Sequence, residues 1–219
     1  MYSQAEENYL KSLYTLASQK GEVSISELSK MLKVSLPTAN SMVKNLKNRG
    51  LVRYEKYKPI SLTGKGKREA ALVLRKHRLT EMFLVTKMGF GWEEVHDIAE
   101  QLEHIKSPLL FDRIDALLGF PKIDPHGSPI PDREGRIIVV SHIKLSDCKP
   151  GEKVKLIALA HSSSDFLKFL NSRDLSLETE LEIKSVEEFD NSMTVSYNNH
   201  PSEVFSQIVC ERLLVEHLK

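Results

Sequence analysis

The sequence predicts a mainly α-helical chain with small β parts, organised in three segments, and three observations carry that prediction. Through the first half, apolar residues recur at intervals of three and four, the period of an amphipathic helix. Beyond residue 140 that period gives way to short β-like runs separated by turn residues. Charge is also divided along the chain: residues 1–72 hold 13 Lys and Arg against 6 Asp and Glu, and residues 73–219 hold 18 against 24. A basic front of about +7 joined to an acidic remainder of about −6, within a net charge of +1, points to a segment that meets phosphates attached to one that does not.

The basic segment reads element by element. Tyr9, Leu10, Leu13, Tyr14, Leu16 and Ala17 predict a helix over residues 6–18, ended by Gly21. Ser24 followed by Glu27 has capping-box form, and Ile25, Leu28, Met31 and Leu32 supply the stripe of a second, short helix. After a tight turn at Val34 and Ser35, a third helix begins, with Pro37 tolerated in its first turn and Ala39, Met42, Val43 and Leu46 facing the core. Gly50 stops it, and residues 51–55 and 60–63 read as two short strands around the loop 56–59. Helix, helix, turn, helix and a two-stranded wing make an N-terminal winged helix-turn-helix, assigned to residues 1–72.

A long connector helix is predicted over residues 67–88, followed by helices over 92–105 and 107–118, the last opened by Ser107 and Pro108 and closed by Gly119. Leu109, Leu110, Ile114, Leu117 and Leu118 exceed what one short helix can hide by itself. Part of that stripe is read as a subunit interface, with intrachain core as the alternative, so residues 73–140 form a helical dimerisation segment. Residues 124–136, rich in Pro, Gly and Asp, read as a loop. Strands are predicted over 153–160, 179–189 and 192–197, with a small helix over 164–170; residues 141–219 are expected to form a small, partly open five-stranded barrel.

Composition excludes several classes. With 41% hydrophobic and 28% charged residues, and no run near the roughly 18 apolar residues of a membrane span, no membrane partner is expected. Residues 1–10 lack the basic start and apolar stretch of a signal peptide, which implies a cytoplasmic protein. Cys148 and Cys210 lie far apart without CxxC spacing, so neither a disulfide framework nor a cysteine-rich zinc site is indicated.

Two constellations carry chemistry. On the third helix, the face opposite the core presents Ser35, Thr38, Ser41, Lys44, Asn45 and Asn48, with Pro37 in the first turn. Hydroxyls and amides of that length meet base edges in a major groove, while Lys44, Lys47, Arg53, Lys56 and Lys58 neutralise phosphates. The second constellation pairs His77 with Glu81, one turn apart on the connector, and places His96, Glu100, Glu103 and His104 on the next helix. Their offsets of zero, four, seven and eight share one helical face. Imidazoles and carboxylates without a thiolate suit Mn(II), Fe(II), Co(II) or Zn(II). A metal-activated hydrolase and a winged-helix regulator sensing an organic ligand remain as alternatives from the residues alone.

The motifs Glu7-Asn-Tyr-Leu, Leu51-Val-Arg-Tyr-Glu-Lys-Tyr, Leu62-Thr-Gly-Lys-Gly, Arg75-Lys-His-Arg-Leu, Val95-His-Asp, Glu103-His104 and Gly127-Ser-Pro-Ile-Pro resemble, in order and spacing, the diphtheria toxin repressor and manganese transport regulator family. The tail resembles the SH3-like domain of its longer members. This resemblance implies a homodimer that binds Mn(II) or Fe(II), engages a palindromic double-stranded DNA operator and represses metal-uptake genes, with no small-molecule substrate. It places His77, Glu81, His96, Glu100, Glu103 and His104 on ligand positions, Asp124 and His126 where some members have Cys and His, and Asp165 where the C-terminal domain donates a ligand. Asp124 and Glu100 both stand where relatives carry Cys, which tilts the choice to Mn(II), with Fe(II) as the alternative and Zn(II) or Co(II) able to bind in vitro. Asn8 stands where manganese-type members have Asp and iron-type members Met, and it can offer only a carbonyl oxygen. His161 neighbours the expected C-terminal ligand and is a possible substitute.

Overall fold

Three serines set the first three helices. In the computed structural model, which describes residues 2–56, 58–138 and 141–218 and only the backbone of residues 19 and 20, Ser3, Ser24 and Ser35 stand in extended backbone. Each side chain accepts a hydrogen bond from the N–H three residues on, opening α1 (Gln4–Lys20), α2 (Ile25–Met31) and α3 (Leu36–Asn48). At Ser3 and Ser24 the third residue, Glu6 or Glu27, bonds back to the serine N–H, completing a capping box. The Ser3 cap starts α1 two residues before the expected position.

Leu10 and Leu13 of α1, Leu28 of α2 and Ala39, Val43 and Leu46 of α3 are buried in one core. β1 (Val52–Arg53) and β2 (Ser61–Leu62) pair antiparallel over that core as a short wing. α4 (Gly64–Met88) begins three residues earlier than predicted because Thr63 caps it, accepting from the Gly66 N–H at 3.0 Å. Gly66 is required there: a Cβ would stand 1.9 Å from the Leu51 carbonyl oxygen.

α5 (Val95–Leu102) is shorter than the helix expected over 92–105. Residues 91–94 instead form a turn, with the Gly91 N–H donating to the Glu94 carboxylate at 2.8 Å and the Glu94 N–H to the Gly91 carbonyl at 3.0 Å. Glu103 and His104 lie in the turn that closes α5, where the Glu103 N–H still bonds the Ala99 carbonyl. α6 (Pro108–Leu117) opens on the Ser107 cap with proline in its first turn.

The chain packs as two compact units, and α4 and α5 each contribute to both. The first comprises the residues through Thr80, Ile98–Lys122 and Ile130–Ile138. Within it Arg75 bonds the buried Asp115 at 2.5 Å and the Pro131 carbonyl at 2.6 Å, while Ile105, Leu109, Leu110, Leu117 and Phe120 are exposed, Leu109 by 66%. These side chains leave an exposed apolar face on and around α6.

The second unit comprises Glu81–Asp97, Ile123–Pro129 and residues from 141 on. Its sheet is antiparallel, in the order β3-β8-β4-β5-β6-β7. The strands are β3 (Ile143–Lys144), β4 (Lys153–Leu159), β5 (Glu180–Val186), β6 (Met193–Tyr197), β7 (His200–Phe205) and β8 (Leu213–His217). Six strands are thus present where five were expected. Alternating burial along β4 and β6 puts Val154, Leu156, Met193, Val195 and Tyr197 into a core closed by Phe166, Leu167 and Leu170 of α7 (Ser164–Asn171), and α8 (Gln207–Cys210) precedes the last strand.

The loop at 123–129 is pinned onto β4. Its ends bridge between Ile123 and Pro129, and the Leu159 N–H donates to the His126 carbonyl at 3.0 Å. Gly127, at φ +85°, lies where a Cβ would come within 2.3 Å of the Ile157 carbonyl oxygen, beside the bulge between Leu156 and Ala158. Cys148 and Cys210 are buried free thiols, and burial pushes them up to about 11 and about 12. No helix among the described residues is long and apolar enough to cross a membrane.

Two consequences are measurable. Gly127→Ala combines a strained backbone with a steric clash, and denaturant unfolding is expected to show a loss of about 2 kcal/mol. With thiolate suppressed at both cysteines, a soluble disulfide reagent at pH 8 should label neither in the folded protein and both after denaturation; rapid labelling of the native chain would contradict their burial.

Candidate DNA interface and metal centres

The third helix turns a polar face outward because Ala39, Val43 and Leu46 are consumed by the core. Ser35, Pro37, Thr38, Ser41, Lys44, Asn45, Lys47 and Asn48 are all exposed, and so are Arg53, Lys56 and Lys58 on the wing. The Ser35 and Thr38 hydroxyls lie 2.8 Å apart at the helix start. Tyr54 donates to the Asn40 side chain at 2.9 Å, fixing the base of the wing against α3. Between them runs an open groove of about 800 Å³ whose lining includes Leu36, Pro37, Lys44, Lys47, Lys56 and Lys58. Helix face, groove and lysines together provide base-edge donors and acceptors flanked by phosphate-neutralising cations.

The first unit also buries a cluster of ligand-type side chains. Glu103 is completely buried. His77 on α4 donates from Nδ1 to one of its oxygens at 2.6 Å, and Lys11 on α1 places its ammonium 2.7 and 2.8 Å from the two oxygens and against Glu100 as well. Burial pushes the Glu103 carboxyl up, and the His77 hydrogen bond with the Lys11 charge overcomes that effect, holding it below the usual carboxylate range. His104 donates from Nδ1 to Glu7 at 2.6 Å. A neutral ring donating there keeps its lone pair on Nε2, which stands 3.6 Å from Glu103.

His104 Nε2 and Asn8 Oδ1 are both buried without a hydrogen-bond partner among the described residues. A buried acceptor left unsatisfied is costly, and both atoms are of the kind a metal ion takes. Glu103 stands 3.6 Å from His104 Nε2, and imidazole nitrogen with amide and carboxylate oxygen is the donor chemistry that suits a borderline-to-hard divalent ion.

In the second unit Glu81, Asp124 and His126, all buried, bring one ligand atom each within 4.8 Å of one another. Two of the three are held from behind. Asp124 accepts from the N–H groups of His126 at 2.8 Å and Ser128 at 2.9 Å. His126 Nε2 lies 2.9 Å from the Trp92 carbonyl, which can only accept, so Nε2 carries the proton and Nδ1 faces Glu81 at 3.8 Å with its lone pair. The Trp92 ring stacks on the imidazole at 6.0 Å, and its N–H donates to Asn171 of α7 at 2.6 Å. His96, with its side chain 56% exposed, approaches Glu81 at 3.4 Å.

Asn8, His77, Glu100, Glu103 and His104 thus belong to the first unit, and Glu81, His96, Asp124 and His126 to the second. Asp165 is exposed in the first turn of α7, His161 is exposed just before it, and neither belongs to the Glu81 group. Sequence reasoning passed over Glu7, Lys11 and Trp92. A signal for the first two existed: Glu7 and Lys11 are one helical turn apart on α1 and flank Asn8.

Residues 1–60 match the N-terminal DNA-binding domain of iron-dependent repressors, residues 63–132 their metal-binding and dimerisation domain, and residues 143–215 the FeoA domain. The iron-dependent repressor IdeR of Mycobacterium leprae is 36% identical over 125 residues, which span 57% of this chain and 54% of that protein, so the match covers about half of its length. The HTH-type transcriptional regulator MntR of Bacillus pumilus is 32% identical over 55% of this chain and 83% of its own. A solved manganese-dependent transcriptional repressor in complex with manganese is 32% identical, with a TM-score of 0.86 covering 97% of this chain and 100% of its own. A basic winged helix joined to buried His and carboxylate donors, over these matched lengths, means that the chain belongs to the iron-dependent repressor family, which is made of transcriptional repressors and not enzymes.

Proposed function

We propose that this chain is a divalent-metal-dependent repressor that binds a double-stranded DNA operator as a homodimer, with Mn(II) as the effector and Fe(II) as the alternative. The observation that carries this reading is the pair of orphaned buried lone pairs, His104 Nε2 and Asn8 Oδ1, beside Glu103 and on the same helix-packed unit as the exposed recognition face. Bound there, a divalent ion supplies the charge that satisfies those lone pairs and the neighbouring carboxylates. Asn8 lies on α1, and α1 shares its core with α3 through Leu10 and Leu13. Anything that fixes Asn8 against the turn after α5 therefore fixes the orientation of the recognition helix within this unit. Such an effector shifts the equilibrium only to the extent that it binds the DNA-competent arrangement more tightly.

In the second unit Glu81, Asp124 and His126, with His96 beside them, supply a further donor set of oxygen and nitrogen atoms. The lack of sulfur in both sets favours Mn(II), a metal suited to carboxylate and carbonyl ligands. The exposed apolar face on α6 supports the dimer, and a dimer places two recognition helices on one palindromic site.

Fluorescence anisotropy on the promoter of a neighbouring metal transporter tests the reading, with chelator, Mn(II), anaerobic Fe(II) and Zn(II) in turn. A large gain with one metal, reversed by chelator, is expected, and Glu103→Ala/His104→Ala should abolish it; full stimulation of the double variant would remove that site from the response. Lys44→Ala should weaken binding to all sequences and lower the slope of log K against log salt by about 1. An unchanged slope would show that Lys44 meets no phosphate.

A further inference from the structure

The site around Glu103 already contains a cation. Lys11 is 12% exposed, a degree of burial that lysine tolerates only when paired. Its ammonium touches Glu100 and both oxygens of Glu103, so all three of its donors have a carboxylate oxygen to meet.

We propose that Lys11 is the second cation of this site, a specificity-determining residue whose ammonium, lying on Glu100 and Glu103, restricts the site to one divalent ion instead of a pair. The inference rests on the metal-responsive reading above. Charge decides the stoichiometry. Glu100 and Glu103 carry two negative charges and Lys11 returns one, while Asn8 offers a neutral amide; Glu7 is engaged by His104 at 2.6 Å and faces Lys76 at 3.8 Å. One divalent ion leaves the inner cluster with a single positive charge, and a second would leave three, inside a region where Glu103 has no water to screen it. The single ion is placed toward Asn8 Oδ1 and His104 Nε2, whose lone pairs are unpartnered, and the far side of the carboxylates stays with lysine.

The test uses the full chain and counts bound Mn(II) by equilibrium dialysis, with electron paramagnetic resonance to report spin coupling between neighbouring ions. Wild type and K11R should show only uncoupled Mn(II). K11M and K11Q, which remove the charge and keep most of the stem, should each bind one more Mn(II) per subunit, spin-coupled to its neighbour, with an affinity at least about tenfold above any residual second binding in wild type. Circular dichroism and thermal melts establish that both variants fold. A coupled pair in wild type, or unchanged stoichiometry in whichever neutral variant folds, overturns the proposal alone. No Mn(II) binding by wild type overturns it together with the metal-responsive reading, so the two failures are distinguishable.

Discussion

A carboxylate that has lost all contact with water must be compensated by the protein around it, and Glu103 is that carboxylate. An uncompensated buried charge costs several kcal/mol. The compensation comes from two directions, an imidazole on α4 and an ammonium on α1, and the turn after α5 presents the acid to both. One buried charge thus determines how three stretches of chain meet. The DNA-binding head is tied in through α1, whose opposite face supplies Leu10 and Leu13 to the core that supports α3. The helix that carries Lys11 is thus also part of the core on which α3 rests.

The second unit solves the same problem with backbone. Asp124 is buried and satisfied by two N–H groups of its own loop, and that loop can lie flat on β4 only because residue 127 has no side chain. His126 is oriented by a carbonyl and stacked against an indole. Side chains oriented in this way have little freedom left to lose, the condition under which orienting partners raise metal affinity.

The winged helix was legible in the sequence because its signals are local: Ser24 and Glu27 cap within one turn, Gly50 ends a helix, and the apolar period of α3 names its core. The ends of α5 were not, since the turn at Gly91 and the break after Leu102 are decided by neighbouring contacts that periodicity does not register. In the sheet, β4, β5 and β6 show alternation, whereas β3 is too short to show it and β7 contains Pro201 and polar residues tolerated on an edge strand. Ligand residue types could be read from helical spacing, yet their partners could not. Lys11 and Glu100 are separated by 89 positions in the chain, and an ammonium between two acids has no signature short of the fold itself.

Trp92 is the chain's single tryptophan, and it stands with its ring on His126 and its N–H on Asn171. An indole emits according to the polarity and charge beside it, and this one has a ligand-type imidazole on its face. The protein's tryptophan emission, excited selectively over that of its six tyrosines, therefore originates beside Glu81, Asp124 and His126. A change in that light separates events at Glu81, Asp124 and His126 from those around Glu103, without a label and without DNA.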